Sequence, residues 1–226
     1  MSFDIKNTSS IHTDGIKTII FGSSGVGKTS LLGTIAGKTL ILSAESGLLV
    51  LKDKDIDVID VLNIESLGKV YLALSRGELK YDNVAIDSLT EIGEMIVTEL
   101  EADSYYGDPS NAFPKWSEYT KRITNIVKKF RDIKGINVVF TALAEAVETN
   151  GAVKYLPMIP ARKFQQKIIS LFDEVYYYSF DKDGNRVLHT AGTNIYEAKS
   201  RGGIADKIIV DDENHLGSII KTIKGK

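Results

Sequence analysis

The chain has 226 residues, of which 43% are hydrophobic and 26% charged, a globular make-up that excludes a disordered chain. The 28 Lys and Arg against 30 Asp and Glu leave a net charge of -2, which excludes a histone-like or polybasic coat protein but not a local basic surface. Cysteine is absent, so disulfides, thiolate zinc sites and a cysteine nucleophile are excluded too, and His12, His189 and His215 lie too far apart in sequence for a zinc cluster.

Taken in chain order, strand-like and helix-like segments alternate. Ile16–Phe21 (IKTIIF) reads as a β-branched strand ending in glycine, and Lys28–Ala36 as a helix stopped by Gly37. Thr39–Ser43 (TLILS) is a second strand and the expected neighbour of the first, and Asp57–Leu62 a third. A helix is expected from Ile64 to Arg76, a buried strand at Asn83–Ile86 (NVAI) and a helix at Leu89–Leu100. Residues 103–114, rich in Gly, Pro and Asn, read as a loop. Lys115–Lys134 carries the clearest helical stripe: Trp116, Tyr119, Ile123, Ile126, Val127, Phe130 and Ile133. Ile136–Phe140 (INVVF) is the next strand.

The last third changes character. Asn150-Gly151 lies between two extended stretches within 144–160 and signals a hairpin. Ala161–Phe172 reads as a helix. Glu174–Phe180 and Arg186–Thr190 flank Asp183-Gly184-Asn185, a second hairpin, and His215–Lys224 closes the chain as a helix. The pattern implies an α/β fold: a mostly parallel sheet flanked by helices, with antiparallel strands toward the C-terminus. With no Pro/Ser-rich linker, residues 1–226 are expected to form one domain, with 1–14 as a lead-in segment. No apolar run approaches the ~20 residues needed to span a bilayer, and the N-terminus lacks signal-peptide features, so the expectation is a cytoplasmic protein with no membrane partner.

Gly22-Ser23-Ser24-Gly25-Val26-Gly27-Lys28-Thr29 matches G-x-x-x-x-G-K-[ST] in full, between an expected strand and an expected helix. The glycines let the loop turn its N–H groups inward onto phosphates, and Ser30 continues the loop into the helix. Lys28 is expected to reach the β- and γ-phosphates of a nucleotide, ATP, and Thr29 to hold Mg²⁺ through its hydroxyl. Asp87 closes the strand NVAI at the ligand edge of such a sheet, where it can act as the second Mg²⁺ residue, and Asp87-Ser88-Leu89 also suits the start of a helix. Ser88 stands where many P-loop ATPases carry a glutamate. The residue that orients water must then come from elsewhere: Glu45, at the end of TLILSAE, is favoured and Glu91, one helical turn beyond Asp87, competes. Thr141, after INVVF, is either a γ-phosphate sensor or a hydroxyl satisfied by nearby backbone.

The order of these parts resembles the RecA-like P-loop ATPases, the superfamily of RecA, RadA and DnaB. There the catalytic glutamate follows the second core strand, as in Ser43-Ala44-Glu45, and the metal-binding strand ends in Asp-Ser, as in Ile86-Asp87-Ser88. Glu197-Ala198-Lys199-Ser200-Arg201-Gly202-Gly203 resembles the K-x-R-x-G element of the DnaB-, KaiC- and RadA-type members. The resemblance implies that Lys199 and Arg201 are catalytic in trans, reaching the γ-phosphate held by a neighbouring copy. It implies a homo-oligomer, ring or filament, with active sites shared between subunits. Asp87-Ser88-Leu89-Thr90-Glu91-Ile92, with Leu156-Pro157 and Phe172-Asp173-Glu174-Val175, further resembles the phage-type ATP-binding proteins of the single-strand annealing group. That similarity runs from Lys17 to Lys224, departs at Leu143, where those proteins often carry His, and implies DNA recombination in a bacterial host cell.

Single-stranded DNA is the partner this implies. Tyr105, Tyr106 and Phe113 in the loop 103–114, and Lys154, Tyr155, Arg162 and Lys163 in 144–165, are the residue types that stack bases and meet phosphates. Helix 115–134 carries seven Lys/Arg against two Asp/Glu, with Lys115, Arg122 and Lys129 on one face. The alternatives are a DnaB- or KaiC-like hexameric motor or helicase core, a small-molecule kinase, and a nucleotide-gated scaffold without turnover.

Overall fold

The computed structural model describes residues 15–45, 47–149, 151–161 and 164–225; the lead-in 1–14, Asn150 of the first turn, and Arg162 and Lys163 lie outside them. The first apolar run forms β1 (Lys17–Gly22), buried throughout. Its side chains alternate between two cores, Ile19 and Phe21 to one and Ile20 to the other, as the period of a strand requires. The glycine loop leads into α1 (Lys28–Leu32), which ends at Gly33 rather than running to residue 36. Leu51, from a short 3₁₀ turn at Leu48–Leu51, packs so closely on Gly33 that a Cβ there would lie 2.7 Å from its methyl group.

β2 (Thr39–Ser43) and β3 (Asp57–Asp60) follow, then α2 (Ile64–Ser75). Asn63 caps α2 by accepting from the Ser66 amide at 2.8 Å. β4 (Asn83–Asp87) passes directly into α3 (Leu89–Ala102), with Ser88 as its N-cap. α4 (Ala112–Arg131) starts three residues before the expected Lys115, because Pro114 falls in the first turn, where its missing N–H costs nothing. Tyr119, Ile123, Val127, Phe130 and Ile133 are buried from its stripe, whereas Trp116 stays partly exposed.

β5 (Asn137–Thr149) runs nine residues beyond the expected Phe140 and turns back as β6 (Ala152–Pro157), the first hairpin. The helix expected over 161–172 is confined to α5 (Gln165–Ile169). β7 (Glu174–Phe180) and β8 (Arg186–His189) form the second hairpin. Two short strands without a periodic signature follow, β9 (Lys199–Ser200) and β10 (Lys207–Ile209), and α6 (Leu216–Lys224) ends the fold.

Among the described residues the strands make one sheet in the order β10-β8-β7-β1-β5-β4-β2-β3, with β6 on β5 and β9 on β7. β7, β1, β5, β4, β2 and β3 pair in parallel. β6, β8, β9 and β10 join by antiparallel pairing. β2 is therefore not the neighbour of β1, contrary to expectation: β5 and β4 stand between them. The connection through α1 crosses two strand positions, which local pattern cannot reveal. One face of the sheet packs on α2, α3, α4 and α5 through residues such as Leu67, Ile92, Ile123 and Ile168. The other packs on α1 and α6 through Leu31 and Ile219. This is a mixed α/β fold with a mostly parallel sheet between helical layers. Among the described residues no helix is long and apolar enough to cross a membrane.

Candidate functional site

Parallel strands present their C-terminal ends on a common edge, and the register brings Gly22 level with Leu143 and Ser43 level with Asp87. The glycine loop closes over that edge. Gly25 and Gly27 have positive φ (76° and 101°), the conformation that only glycine adopts without strain. Gly22 is needed for a different reason: a Cβ there would overlap the carbonyl of Tyr178 on β7. Ser23, Ser24, Gly25 and Ser30 are exposed, Val26 is buried, and Gly27 caps α1 with no side-chain partner for the first-turn amides.

Lys28 is buried, and its Nζ donates to the carbonyls of Gly22 and Ser23, both at 2.9 Å, so the ammonium is held across the loop. Burial pulls its pKa below the ordinary lysine range, while the Glu45 and Asp87 carboxylates act against that shift. The Thr29 hydroxyl donates to Asp87 Oδ2 at 2.8 Å. Asp87 Oδ1 accepts from the Thr141 hydroxyl, so two strands and a helix converge on one buried carboxylate. Thr141 therefore has a side-chain partner, not only backbone, near it.

Glu45 reaches this edge although two strands, β5 and β4, separate β2 from β1. The amides of Ala44 and Glu45 donate to the Asp87 carbonyl at 2.7 and 3.2 Å, and the Ser88 hydroxyl donates to Glu45 Oε1. Glu91 stands beside it: burial raises its pKa, and the carboxylates of Glu45 and Glu94 raise it further. Lys28, Thr29, Asp87, Glu45 and Glu91 are thus gathered in one place, together with Thr141 and Ser88.

Lys199 and Arg201 are not. Lys199 pairs with Val175 near the start of β7, whereas Gly22 pairs with Tyr178 toward its end, three residues or roughly 10 Å further along. Arg201 donates from Nη1 to Asp173 at 2.7 Å. Burial and the Arg201 charge lower the Lys199 pKa. Sequence reasoning missed what holds this turn: buried Glu174 accepts from the amides of Arg201 (3.0 Å) and Gly202 (2.8 Å). It also missed Thr90, which donates to the Met158 carbonyl at 2.8 Å and accepts from the Leu143 amide at 3.0 Å, tying α3 to the start of the β5–β6 hairpin.

The surfaces considered for nucleic acid are partly occupied within the chain. Lys115 pairs with Glu101 at 3.2 Å, and Arg122 with Glu118 (3.0 Å) and Glu99 (3.5 Å). Lys129 lies over the Tyr71 ring. Lys154 pairs with Glu197 at 2.7 Å, and Tyr155 stacks on Tyr177. In the loop before α4, Asp103 accepts from the amides of Tyr105 and Tyr106, while Phe113, in the first turn of α4 rather than in the loop, is 86% exposed.

The donor set fits a nucleoside triphosphate with Mg²⁺. Loop amides and an ammonium suit phosphate, and Thr29 and Asp87 bring two hard oxygens together, as Mg²⁺ requires. Among the described residues no three His, Asp or Glu side chains could hold a metal by themselves. A Mg²⁺ here would draw its remaining ligands from phosphate and water.

Against curated protein sequences the chain finds no significant match. A family model described as an AAA domain (AAA_24) matches residues 14–202, a span that holds every residue of the site and most of the chain. The glycine loop, the parallel sheet and that match lead to one assignment: the chain belongs to the AAA domain family, P-loop proteins of the nucleotide-dependent ATPase kind.

Proposed function

We propose that the protein is an Mg²⁺-dependent ATPase of RecA-like arrangement that assembles on single-stranded DNA and completes its active sites between neighbouring copies. The observation that carries the reading is the hydrogen-bonded set Thr29–Asp87–Thr141, with Lys28 and Glu45 beside it. Bound ATP supplies the phosphoryl group and bound Mg²⁺ neutralises charge on it. Residues Gly22 to Ser30 hold the phosphates, Lys28 offsets negative charge, and Thr29 and Asp87 are the metal-side oxygens. Glu45 takes the role of orienting water, its carboxylate aimed by the Ser88 hydroxyl. Thr141, bonded to Asp87, is suited to register the state of the site in β5 and the hairpin beyond.

Lys199 and Arg201 lie toward the end of the sheet away from their own loop, which is compatible with service to a neighbour's phosphate but not to their own. The DNA role rests on the resemblance of the sequence to phage-type annealing ATPases, with exposed Phe113 and Tyr105 available for base stacking. The test is the ATPase rate as a function of protein concentration, with and without single-stranded DNA. Shared sites predict a steep rise with concentration and stimulation by DNA; a rate per chain independent of both would overturn the assembly. Arg201→Ala is expected to lower turnover at least about a hundredfold while leaving nucleotide affinity largely intact. Loss of affinity and turnover together would argue against action in trans.

A further inference from the structure

Arg186 opens β8 where that strand passes the glycine loop. Its Nε donates to the Val26 carbonyl at 2.9 Å, a contact across 160 residues of sequence. The side chain lies against Gly27: a Cβ added there would sit 3.2 Å from Nε, 3.6 Å from Cδ and 3.8 Å from Cζ. Glycine at 27 therefore serves close approach of a guanidinium as well as the turn. Phe180, the cross-strand partner of Arg186, places its half-exposed ring 5.5 Å from Cζ. The backbone is fixed too, since the Arg186 carbonyl accepts from the Val210 amide at 2.8 Å.

These contacts hold the guanidinium without neutralising it. The Val26 carbonyl and the Phe180 ring are uncharged, and among the described residues no carboxylate forms an ion pair with Arg186. The residue is exposed, so its charge stays available to a ligand. With Nε committed to the loop, the two Nη nitrogens remain as a planar fork beside a loop built to hold phosphate. Such forks suit phosphate oxygens better than any other side chain.

We propose that Arg186 is a nucleotide-binding residue supplied in cis, its Nη groups donating to the phosphate chain held in the loop of the same chain. This rests on the P-loop reading above and adds to it a second fixed cation besides Lys28. Unlike Lys199 and Arg201, it acts without a neighbour, and on a nucleoside diphosphate as well as a triphosphate.

The test is a calorimetric titration of Mg-ADP into the full-length protein and into Arg186→Gln, each at low and moderate salt. Glutamine keeps an amide N–H for the Val26 carbonyl but no charge, so a purely structural tie would survive it. The expected result is about a tenfold rise in Kd, the size of one charge-assisted contact, with a weaker salt dependence. A Kd within about twofold of the parent overturns the assignment. A second measurement uses the unaltered protein: phenylglyoxal labelling followed by peptide mass analysis, with and without Mg-ADP. Protection of Arg186 supports the proposal, and equal labelling while ADP is bound overturns it. If the unaltered protein takes up no Mg-ADP, the P-loop reading itself fails; if it binds and the variant binds equally, only the role of Arg186 falls.

Discussion

Lys28→Ala is expected to abolish nucleotide turnover. The Lys28 ammonium is buried within the loop's own curve, held between the Gly22 and Ser23 carbonyls. Those contacts aim it while Glu45 and Asp87 surround it with negative potential. Alanine removes a fixed charge from a site where charge shifts onto the transferred phosphate, and it leaves two carbonyls without their donor. Losing one preorganised group of this kind costs about 10²–10³ in rate, and the collapse of the loop around the vacated position adds to that. Phosphate release at saturating ATP is the measurement, with circular dichroism to establish that the variant is folded. Turnover within about tenfold of the parent would mean that the chemistry lies elsewhere.

The second large effect separates two carboxylates. Glu45→Gln is expected to lower kcat by about 10²–10⁴, the range for loss of a positioned base, with ATP affinity little changed. Glutamine retains an oxygen for the Ser88 hydroxyl, so the fold of the β2 end is preserved. Glu91→Gln should have a much smaller effect. Glu91 belongs to the first turn of α3, and its raised pKa comes from burial and from neighbouring carboxylates rather than from a cation. Single-turnover rates for both variants decide the matter, and the reverse ranking would transfer the water-orienting role to Glu91.

Which parts of this site were legible in the sequence follows from the range of the interactions involved. The glycine loop is a local object: its turn, its lysine and its threonine are fixed by eight consecutive residues, and strand and helix flank it as periodicity required. The two hairpins were equally local, each marked by its turn residues. Strand order was not. Glu45 was expected beside β1 because TLILS comes next in sequence, yet two strands separate β2 from β1, and Glu45 reaches the site through hydrogen bonds to Asp87 on the adjoining β4. Helix ends also moved where tertiary packing outweighed propensity, as at Gly33, where Leu51 occupies the space beside the chain. Thr90, Glu174 and Arg186 were invisible for the same reason. Each acts on a backbone group or a side chain far along the sequence, and no spacing rule announces a bond across 160 residues. The basic face of α4 shows the converse: its periodicity was correct, but charge counting on one helix could not foresee that α3 supplies Glu99 and Glu101 as partners.

Every role assigned to the site depends on the loop from Gly22 to Thr29 gripping a nucleoside triphosphate. Isothermal titration of the folded protein with ATP in the presence of Mg²⁺ tests this most directly. A saturable heat of binding that ADP displaces, and that Lys28→Ala greatly weakens, is the predicted result. A folded protein that shows no heat, and no competition among ATP, GTP and ADP, would contradict it.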